Sequence, residues 1–405
     1  MQQYDVVIVG GGMVGASLAC ALSGRGLRIA MVEAVQSAVR SEAGYDDRAI
    51  ALAYGTKKIF TGLQLWDQLA PEATPIHQIH VSDRGHFGMA RMDRADEGLP
   101  AIGYVVPARV IGQVLGEAVA RTEAVDRWCP ATVTAVHRAD DGVRLDLACD
   151  GVAVNLDTRL IVAADGADSF MREQFGIGHT ERDYGQTAII TNITPQLPHN
   201  NIAYERFTDT GPMALLPMTG QRCAVVWTVT SEQAESIMAL DNTDFLARLQ
   251  ERFGYRLGRL EQVGRRQAWP LRLVQARESV RERLALVGNA VHTLHPVAGQ
   301  GFNLGARDVA VLAEVLVDAL QAGEDPGSLM VLNRYGEWRH RDHQNVMVFT
   351  DGLARLFTLP LPALGMVRSA GLLALDLLPP AKRWLTRMTM GRSGRTPKLA
   401  RGLPL

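Results

Sequence analysis

A glycine-rich loop near the N-terminus constrains the fold more than any other feature of the sequence. Gly10, Gly12 and Gly15 form a Gly-x-Gly-x-x-Gly pattern between the apolar segment Tyr4–Val9, typical of a buried strand, and Met13–Ser23, typical of a helix. In this context the first glycine permits a tight turn, the second lets a pyrophosphate approach the backbone, and the third lets the helix pack on the strand. The loop therefore predicts a dinucleotide-binding βαβ unit.

An acidic residue completes this unit. Leu27–Val32 is predicted to form the second strand, and Glu33 and Ala34 follow directly. A carboxylate at this place can accept hydrogen bonds from both hydroxyls of an adenosine ribose, and it would repel a 2′-phosphate. A glycine cluster alone often arises by chance, but here both strands, the helix and the acid are in place.

A second segment likewise combines a predicted buried strand with a turn that contains a glycine. Leu160–Ala164 runs into Asp165-Gly166, and Ser169 and Arg172 follow closely. A simple turn between a strand and a helix would explain Asp-Gly alone. The added serine and arginine favour a dinucleotide role.

A third segment has the same arrangement. Arg283–Val287 is predicted to be a strand that runs into Gly288-Asn289, and the glycine-rich segment 296–303 leads into a predicted helix, Asn303–Gln321. The N-terminus of such a helix can stabilise negative charge on an anionic ring system.

Two histidines in this region, His292 and His295, raise the question of a metal site. No third ligand accompanies them, and Pro296 would disturb a helix that carried them both. We therefore predict no metal site, because His-x-x-His alone lacks the ligand number of a real one.

Composition sets the remaining limits. The chain has 405 residues, of which 47% are hydrophobic and 21% charged, so we expect two closely packed globular domains. A net charge of −1 gives no general attraction to nucleic acid. Four cysteines without a Cys-x-x-Cys pair indicate neither a disulfide framework nor a zinc site, and a reducing cytoplasm is the simplest location. No apolar run reaches the ~18 residues of a membrane span.

The strand patterns predict how the chain is divided. Segments that read as parallel strands lie far apart, whereas Ile76–Ser82 and residues 187–230 alternate like an antiparallel sheet. Residues 35–55 are predicted to be a polar loop, followed by a helix over Gly55–Leu69. The predicted division is a discontinuous nucleotide-binding domain, a β-sheet domain inserted twice, and a C-terminal tail: residues 1–75, 101–180 and 276–350; residues 76–100 and 181–275; and residues 351–405.

The last 50 residues differ from the rest of the chain. Gly352–Leu378 is apolar with helical spacing, and 381–405 has no acidic residue. Its seven basic residues are Lys382, Arg383, Arg387, Arg392, Arg395, Lys398 and Arg401. This pattern favours docking on an anionic membrane surface or on a partner, including a second copy of the chain. A helix packed on the catalytic body with a frayed basic end is the alternative.

The three motifs together resemble the class A flavoprotein aromatic hydroxylases, the para-hydroxybenzoate hydroxylase-like family, over nearly the whole chain. Within that family, four segments look like the ubiquinone-biosynthesis hydroxylases: residues 46–52, 205–207, 211–217 and 299–305. The sequence departs from the family at Asn289, where Gly-Asp is usual. Asparagine still accepts a hydrogen bond from a ribityl hydroxyl, but without the strength that a charged carboxylate adds.

The resemblance implies a fold and a set of FAD-binding residues. The fold class is α/β, with a Rossmann-like FAD-binding domain of the glutathione-reductase type, an inserted antiparallel β-sheet substrate domain and a C-terminal helical tail. For the ADP half of FAD the resemblance implies Gly10, Gly12, Met13, Gly15, Glu33 and Ala34, with Val133 at the adenine; for the phosphates and ribityl chain, Arg48, Arg109, Asp165, Gly166, Gly288 and Asn289; and for the isoalloxazine, Pro296, Gly299, Gly301 and Asn303. Arg206 and Leu215 are candidate substrate contacts, although plain sheet packing explains them equally well, and no catalytic side chain is assigned.

The resemblance also implies an activity. NAD(P)H, a transient co-substrate, would reduce FAD, and a flavin C4a-hydroperoxide formed with O2 would hydroxylate a polyprenylated phenol in ubiquinone biosynthesis. The enzyme would be cytoplasmic and peripheral at the inner face of the cytoplasmic membrane. One alternative is another FAD-dependent oxidoreductase of this fold, a prenyl reductase or oxidase. The other, a non-enzymatic prenyl-binding escort protein, would have eroded glycines and no acid at position 33.

Overall fold

The computed structural model describes residues 2–36, 44–139, 141–296, 299–358 and 362–405. Its first sheet brings distant parts of the chain together, because Gln2–Val9 pairs in parallel with both Val152–Ala163 and Ile29–Val32. Across the sheet the five parallel strands are Leu284–Leu286, Val152–Ala163, Gln2–Val9, Ile29–Val32 and Val125–Trp128. Three antiparallel strands extend it: Val280–Arg281, Ala131–Arg138 and Val143–Cys149.

Both faces of the first sheet are covered. Val6 and Ile8 point to one face and pack under helices, whereas Val7 and Val9 point to the other face, toward the hairpin strands. This alternation follows from the two-residue period of a strand. All four side chains are buried, so the sheet has the continuous apolar strands of a parallel sheet covered on both sides.

A second sheet of nine mostly antiparallel strands stands beside the first. Most of its strands come from residues 78–93 and 179–276, and one short strand, His292–Thr293, comes from a segment assigned above to the nucleotide-binding domain. In order, eight strands are His292–Thr293, Gln267–Ala276, His179–Pro195, Cys223–Thr230, Gly211–Pro217, Ile202–Thr208, Gln78–Asp83 and Met89–Asp93, and Leu260–Val263 pairs with the third of them.

A third, three-stranded sheet corrects one prediction. Ala49–Ala53 is a strand, not part of a polar loop, and it pairs with Gly103–Pro107, which in turn pairs with Thr74–Ile76. Residues 37–43 of the predicted loop lie outside the described residues. The strand could not be predicted because it is short and its partner residues are at least 50 positions away in sequence.

Helices account for most of the remaining structure. The predicted helix Gly55–Leu69 is in fact two helices, since Gln64 adopts a left-handed backbone with φ of 60°. The helices Phe170–Gln174, Ser231–Met238 and the 30-residue Leu329–Thr358 were not predicted as such. The α-helices are Met13–Leu22, Tyr54–Gly62, Trp66–Leu69, Ala108–Ala120, Phe170–Gln174, Ser231–Met238, Asn242–Phe253, Gln300–Gln321, Leu329–Thr358, Pro362–Leu377 and Pro379–Thr389. Short 3₁₀ turns cover Ala70–Glu72, Arg94–Glu97, Gly288–Ala290 and Leu399–Arg401.

The C-terminal segment packs closely on the rest of the molecule. Met390 and Leu399 are each 1% exposed, and Leu399 belongs to the core that the first sheet shares with its helices. Several basic side chains have partners: Arg387 donates to Glu97 at 2.9 Å, and the Arg395 guanidinium lies 3.6 Å from the centre of the Trp338 ring. Within the described ranges, no helix has the length and apolar character needed to cross a membrane.

Candidate functional site

The glycine loop lies where two parallel strands end beside each other. The Gly10 N–H donates to Val32 O at 2.8 Å, and the Ala164 N–H donates to Val9 O at 2.7 Å. Gly10 has φ of 103°, and a Cβ built there would lie 2.4 Å from the carbonyl oxygen of Ala164. A Cβ on Gly15 would lie 1.9 Å from the carbonyl oxygen of Gly10. Glycine is therefore required at both positions for the helix to start directly on the strand.

Gly12 and Glu33 leave room and hydrogen-bonding capacity for a ligand. Among the described residues, a Cβ on Gly12 would meet no heavy atom within 4 Å, and no side chain caps the helix that begins at Met13. Glu33 Oε2 accepts from the Gly11 N–H at 2.6 Å, and Oε1 accepts from the Val35 N–H at 2.8 Å. A carboxylate accepts about four hydrogen bonds, so about two sites on Glu33 remain for ribose hydroxyls.

The Asp165-Gly166 turn faces the same region. Asp165 Oδ2 accepts from the Met171 N–H at 3.0 Å, whereas Oδ1 is buried without a hydrogen-bond partner among the described residues. Burial raises the pKa of this carboxyl. Gly166 has φ of 90° and lines the cavity described below. Arg172 has a structural role. Its guanidinium donates to Ala167 O and Ala290 O, and these hydrogen bonds connect the second motif to the third.

A buried aspartate stabilises the third motif, the turn at Gly288-Asn289, through a hydrogen bond. Asp308 is fully buried, and its Oδ2 accepts from the Gly288 N–H at 3.0 Å. Its Oδ1 accepts from Arg339 Nε at 2.7 Å and is 2.6 Å from His343 Nε2. Burial alone would raise the pKa of Asp308, but His343 and Arg339 outweigh burial and hold it well below its ordinary value. Asp308 therefore fixes the turn that presents Asn289 to the cavity.

The two histidines of this region point to different partners. His292 Nε2 is 3.3 Å from Asp308, whereas His295 Nε2 is 3.2 Å from Gln186 Oε1. His292, Asp308 and His343 bring their ligand atoms within 4.8 Å of one another, which is compatible with a cation. The Arg339 guanidinium already neutralises Asp308, however, and would repel a cation.

The start of the long helix Gln300–Gln321 is tied to the unpredicted strand Ala49–Ala53. Asn303 Oδ1 accepts from the Ala53 N–H at 2.8 Å and from the Thr56 hydroxyl at 2.7 Å. Its amide nitrogen donates to Ala51 O at 2.9 Å and to Gly299 O at 2.7 Å. These four hydrogen bonds use the whole capacity of the amide, so Asn303 shapes the cavity wall and its side chain has no spare group for a cofactor.

Of the remaining residues that were predicted to bind the cofactor, some line one cavity and others do not. Arg48 lines the cavity, but Arg109 does not; its Nε donates to Asp47 at 2.9 Å. Val133 is buried on the hairpin strand that begins at Ala131, whose N–H donates to Glu33 O. The structure gathers a larger group around one cavity: Gly12, Met13, Arg48, Gly166, Asn289, Pro296, Gly299, Gly301 and Asn303.

This cavity has a volume of about 560 Å³ and extends from the glycine loop to the C-terminal helices. The unpredicted strand Ala49–Ala53 contributes all five of its residues to the wall. Away from the glycine loop the walls are mainly apolar. The second sheet contributes Ile79, Val81, Ile190, Ala203, Phe207, Ala214, Leu216, Ala224 and Val226, and the helices opposite contribute Phe349, Leu353, Leu372, Leu375 and Leu385.

The two predicted substrate residues lie on the other face of the second sheet. Arg206 Nε donates to Arg252 O at 3.1 Å, and Leu215 is fully buried in the core under Asn242–Phe253. Neither residue lines the cavity. Because side chains alternate along a strand, the cavity receives Glu205 in place of Arg206. The segment 205–207 therefore lines the cavity through Glu205 and Phe207, and not through the predicted Arg206.

The arrangement fits FAD. Open space at Gly12, an uncapped helix N-terminus and free acceptor sites on Glu33 suit a pyrophosphate and an adenosine ribose. Asp165 Oδ1, which has no hydrogen-bond partner within the described ranges, suits a hydroxyl donor. An apolar cavity continues from there, as a site that must hold a flavin ring beside an apolar substrate would require. Fold and site together define a dinucleotide-binding flavoprotein.

Comparison with known proteins gives the family. Residues 3–350 match the family described as FAD binding domain. Ubiquinone hydroxylase UbiL of Rhodospirillum rubrum is 40% identical over 99% of this chain and 93% of its own length. The 3-demethoxyubiquinol 3-hydroxylase of Escherichia coli is 32% identical over 96% of this chain and 99% of its own length. The chain belongs to this FAD-binding family, and it is an FAD-dependent monooxygenase.

A solved structure supports the fold. The crystal structure of p-nitrophenol 4-monooxygenase PnpA from Pseudomonas putida superposes with a TM-score of 0.80, at 20% identity, over 97% of this chain and all of that one. The prediction of an α/β fold like that of para-hydroxybenzoate hydroxylase is confirmed.

Proposed function

We propose that this enzyme hydroxylates the aromatic ring of a polyprenylated phenol in ubiquinone biosynthesis, with NAD(P)H and O2 as co-substrates. The observation that carries the proposal is one cavity that joins the glycine loop to an apolar sheet face and to the C-terminal helices. Two relatives that match nearly the whole chain, one named a ubiquinone hydroxylase and the other a 3-demethoxyubiquinol 3-hydroxylase, support the same substrate class.

Different residues of this chain would bind the cofactor and the substrate. Gly12 and Glu33 would hold the ADP half of FAD, and Asn289 and Pro296 would lie toward the flavin ring. Bound FAD supplies the redox chemistry and the activated oxygen. The apolar walls would exclude water, which otherwise diverts activated oxygen into hydrogen peroxide. Phe349 and its neighbours on the helices would contact the prenyl chain, because an isoprenoid gains free energy from burial among apolar side chains.

The activity is tested with labelled oxygen. Purified protein should be yellow, should oxidise NAD(P)H in the presence of a prenylated methoxyphenol, and should place one atom of ¹⁸O2 in the product. Within this group of hydroxylases, the four sequence segments favour the 2-octaprenyl-6-methoxyphenol hydroxylase type. The rates with 2-octaprenyl-6-methoxyphenol and with a demethoxyubiquinol as substrates should therefore be compared. A product that is reduced or oxidised without ¹⁸O would indicate the prenyl reductase or oxidase alternative. A protein that takes up no FAD would contradict the proposal altogether.

We further propose that the enzyme is peripheral at the cytoplasmic face of the membrane and docks through the corner between its last two long helices. Leu377, Leu378 and Trp384 are 68%, 55% and 64% exposed, and the exposed Arg383 adds positive charge. The same helices contribute Leu375 and other apolar side chains to the cavity. Docking here would bring the cavity close to a substrate dissolved in the bilayer.

Vesicle binding tests the docking surface. The double variant L377S/W384S should bind phosphatidylglycerol vesicles at least about tenfold more weakly than the wild type, because burying each apolar side chain contributes about 1.5–3 kcal/mol. V152S/Y255S is a matched control, since both residues are more than 60% exposed and lie elsewhere. Deleting the tail would be less informative, because Met390 and Leu399 are part of the core. Equal binding by wild type and L377S/W384S would rule the surface out.

A further inference from the structure

A single carboxyl group interrupts the apolar sheet face of the cavity. Glu205 is the only charged side chain that the second sheet contributes to the cavity lining, among the residues that the structure describes. Its cross-strand neighbours are Val81 and Ala214, and Ala203 and Phe207 flank it on the same face of its own strand. An ionisable group in such surroundings needs an explanation, because burying a charge is costly unless it is paired.

Glu205 has no partner that would explain it structurally. Within the described part of the chain, its carboxyl makes no hydrogen bond and no ion pair. Burial alone raises the pKa of Glu205 to about 8. A carboxyl with this pKa is neutral at low pH and becomes a carboxylate just above neutrality, which suits a proton acceptor that works near physiological pH.

Charged groups on the surrounding elements are engaged elsewhere. On the neighbouring strand Gln78–Asp83, Asp83 is 3.4 Å from Arg368 of the helix packed against it. On the long helix Leu329–Thr358, Asp351 is 3.3 Å from Arg182.

The other ionisable groups near this sheet contact other residues, face the opposite side or are exposed. His80 and Tyr204 contact each other across neighbouring strands, and Arg206 points into the opposite face. On the sheet's far strand, the Arg91 side chain is exposed. In the cavity lining, Arg48 is the other described side chain with a full charge, and its guanidinium lies 6.0 Å from the centre of the Trp269 ring.

We propose that Glu205 is the catalytic residue that accepts the proton of the substrate's phenol hydroxyl. This inference rests on the proposed function, since it needs a phenol in the cavity. In the step, the phenol O–H bond breaks, a new O–H bond forms on a Glu205 carboxylate oxygen, and the electron pair stays on the phenol oxygen. The negative charge moves from the carboxylate to the ring, which becomes a better nucleophile toward the activated oxygen. The step needs no oxidant of its own.

The same carboxyl would orient the substrate. An apolar wall cannot distinguish one end of a prenylated phenol from the other, whereas one hydrogen-bonding group fixes the position of the hydroxyl. With the hydroxyl held at Glu205, the prenyl chain is free to lie along the helix side of the cavity, against residues such as Leu372. The ring position that is hydroxylated would then depend on the distance between Glu205 and the flavin end of the cavity.

The test compares Glu205→Gln with the wild type as FAD-loaded enzymes. Glutamine has the shape of the neutral carboxyl and cannot accept a proton at neutral pH, so kcat for the prenylated phenol should fall about 10²- to 10³-fold, with flavin content unchanged. In the wild type, kcat/KM should rise as pH increases through about 8, since the carboxylate is the active form. This rise should be absent in Glu205→Gln. Glu232→Gln, an exposed residue on a helix behind the sheet, is the control and should match the wild type.

The possible outcomes distinguish a failure of the Glu205 inference from a failure of the proposed function. If Glu205→Gln keeps kcat within about threefold of the wild type and keeps the rise with pH, the inference is wrong. If the wild type hydroxylates no prenylated phenol, the proposed function fails, whatever the variant does. If Glu205→Gln does not retain FAD, Glu205→Asp replaces it. The shorter acid should keep a pH-dependent rate with a shifted midpoint, and an unmoved midpoint would overturn the inference.

Discussion

Replacing Gly15 by alanine should give a protein that contains almost no flavin and unfolds at a lower temperature than the wild type. The new Cβ would lie 1.9 Å from the Gly10 carbonyl oxygen and 3.2 Å from a methyl carbon of Ile8, so the helix would have to move away from the strand. Overpacking of this kind costs about 1–3 kcal/mol. We expect the FAD dissociation constant to rise at least about 100-fold, which corresponds to about 2.7 kcal/mol. Flavin absorbance per protein and thermal unfolding measure the two effects.

Gly12→Ala separates flavin binding from stability. No heavy atom of the described part of the chain lies within 4 Å of a Cβ at Gly12, so this variant should fold as the wild type does. It should still lose FAD, because the methyl group occupies the space of the pyrophosphate. Gly112→Ala is the control, on an exposed part of the helix Ala108–Ala120 with equally open space. It should bind FAD normally and gain up to about 1 kcal/mol of stability. Normal FAD binding by Gly12→Ala would contradict the assignment of the loop.

The features that sequence predicted well are those that depend on local backbone conformation. Gly10 and Gly288 both have positive φ, at 103° and 60°, and glycine is the residue that adopts such a conformation without strain. Each follows a short apolar strand, so the motif and its structural context lie within a few residues of each other. For this reason each motif could be identified from its own few residues, and the family resemblance then implied that the three converge on one cofactor although almost 300 residues separate the first from the last.

The substrate side of the site could not be predicted in the same way. Alternation along Ile202–Thr208 separates Glu205 from Arg206 and predicts that they face opposite sides. It does not tell which side is the cavity, because helices cover both faces of the second sheet. One face packs on Asn242–Phe253, and the other faces helices that follow more than 100 residues later in the chain. Only the tertiary arrangement identifies the cavity face.

Asp308→Asn should be among the most damaging substitutions outside the cofactor site. The carboxylate is fully buried and accepts hydrogen bonds from Arg339, His343 and the Gly288 N–H. The amide of asparagine would present a donor to the Gly288 N–H or to Arg339, and the 4%-exposed guanidinium of Arg339 would keep only Asp342 as its acidic partner. Breaking one partner of a buried ion pair costs about 3–5 kcal/mol, because the remaining charge stays buried. Denaturant unfolding of the FAD-free proteins measures this loss directly.

The same substitution should also weaken FAD binding, because the Gly288-Asn289 turn would lose its anchor. Asp318→Asn is the matched control on the same helix: its side chain is 52% exposed, and its pair with Lys398 at 3.7 Å is a surface interaction worth about 0–1 kcal/mol. The control should leave both stability and FAD affinity nearly unchanged. If Asp308→Asn lost less than about 1 kcal/mol, the buried network would be neutral for stability. If FAD affinity then stayed normal as well, packing of the long helix alone would be sufficient to hold the turn against the cofactor.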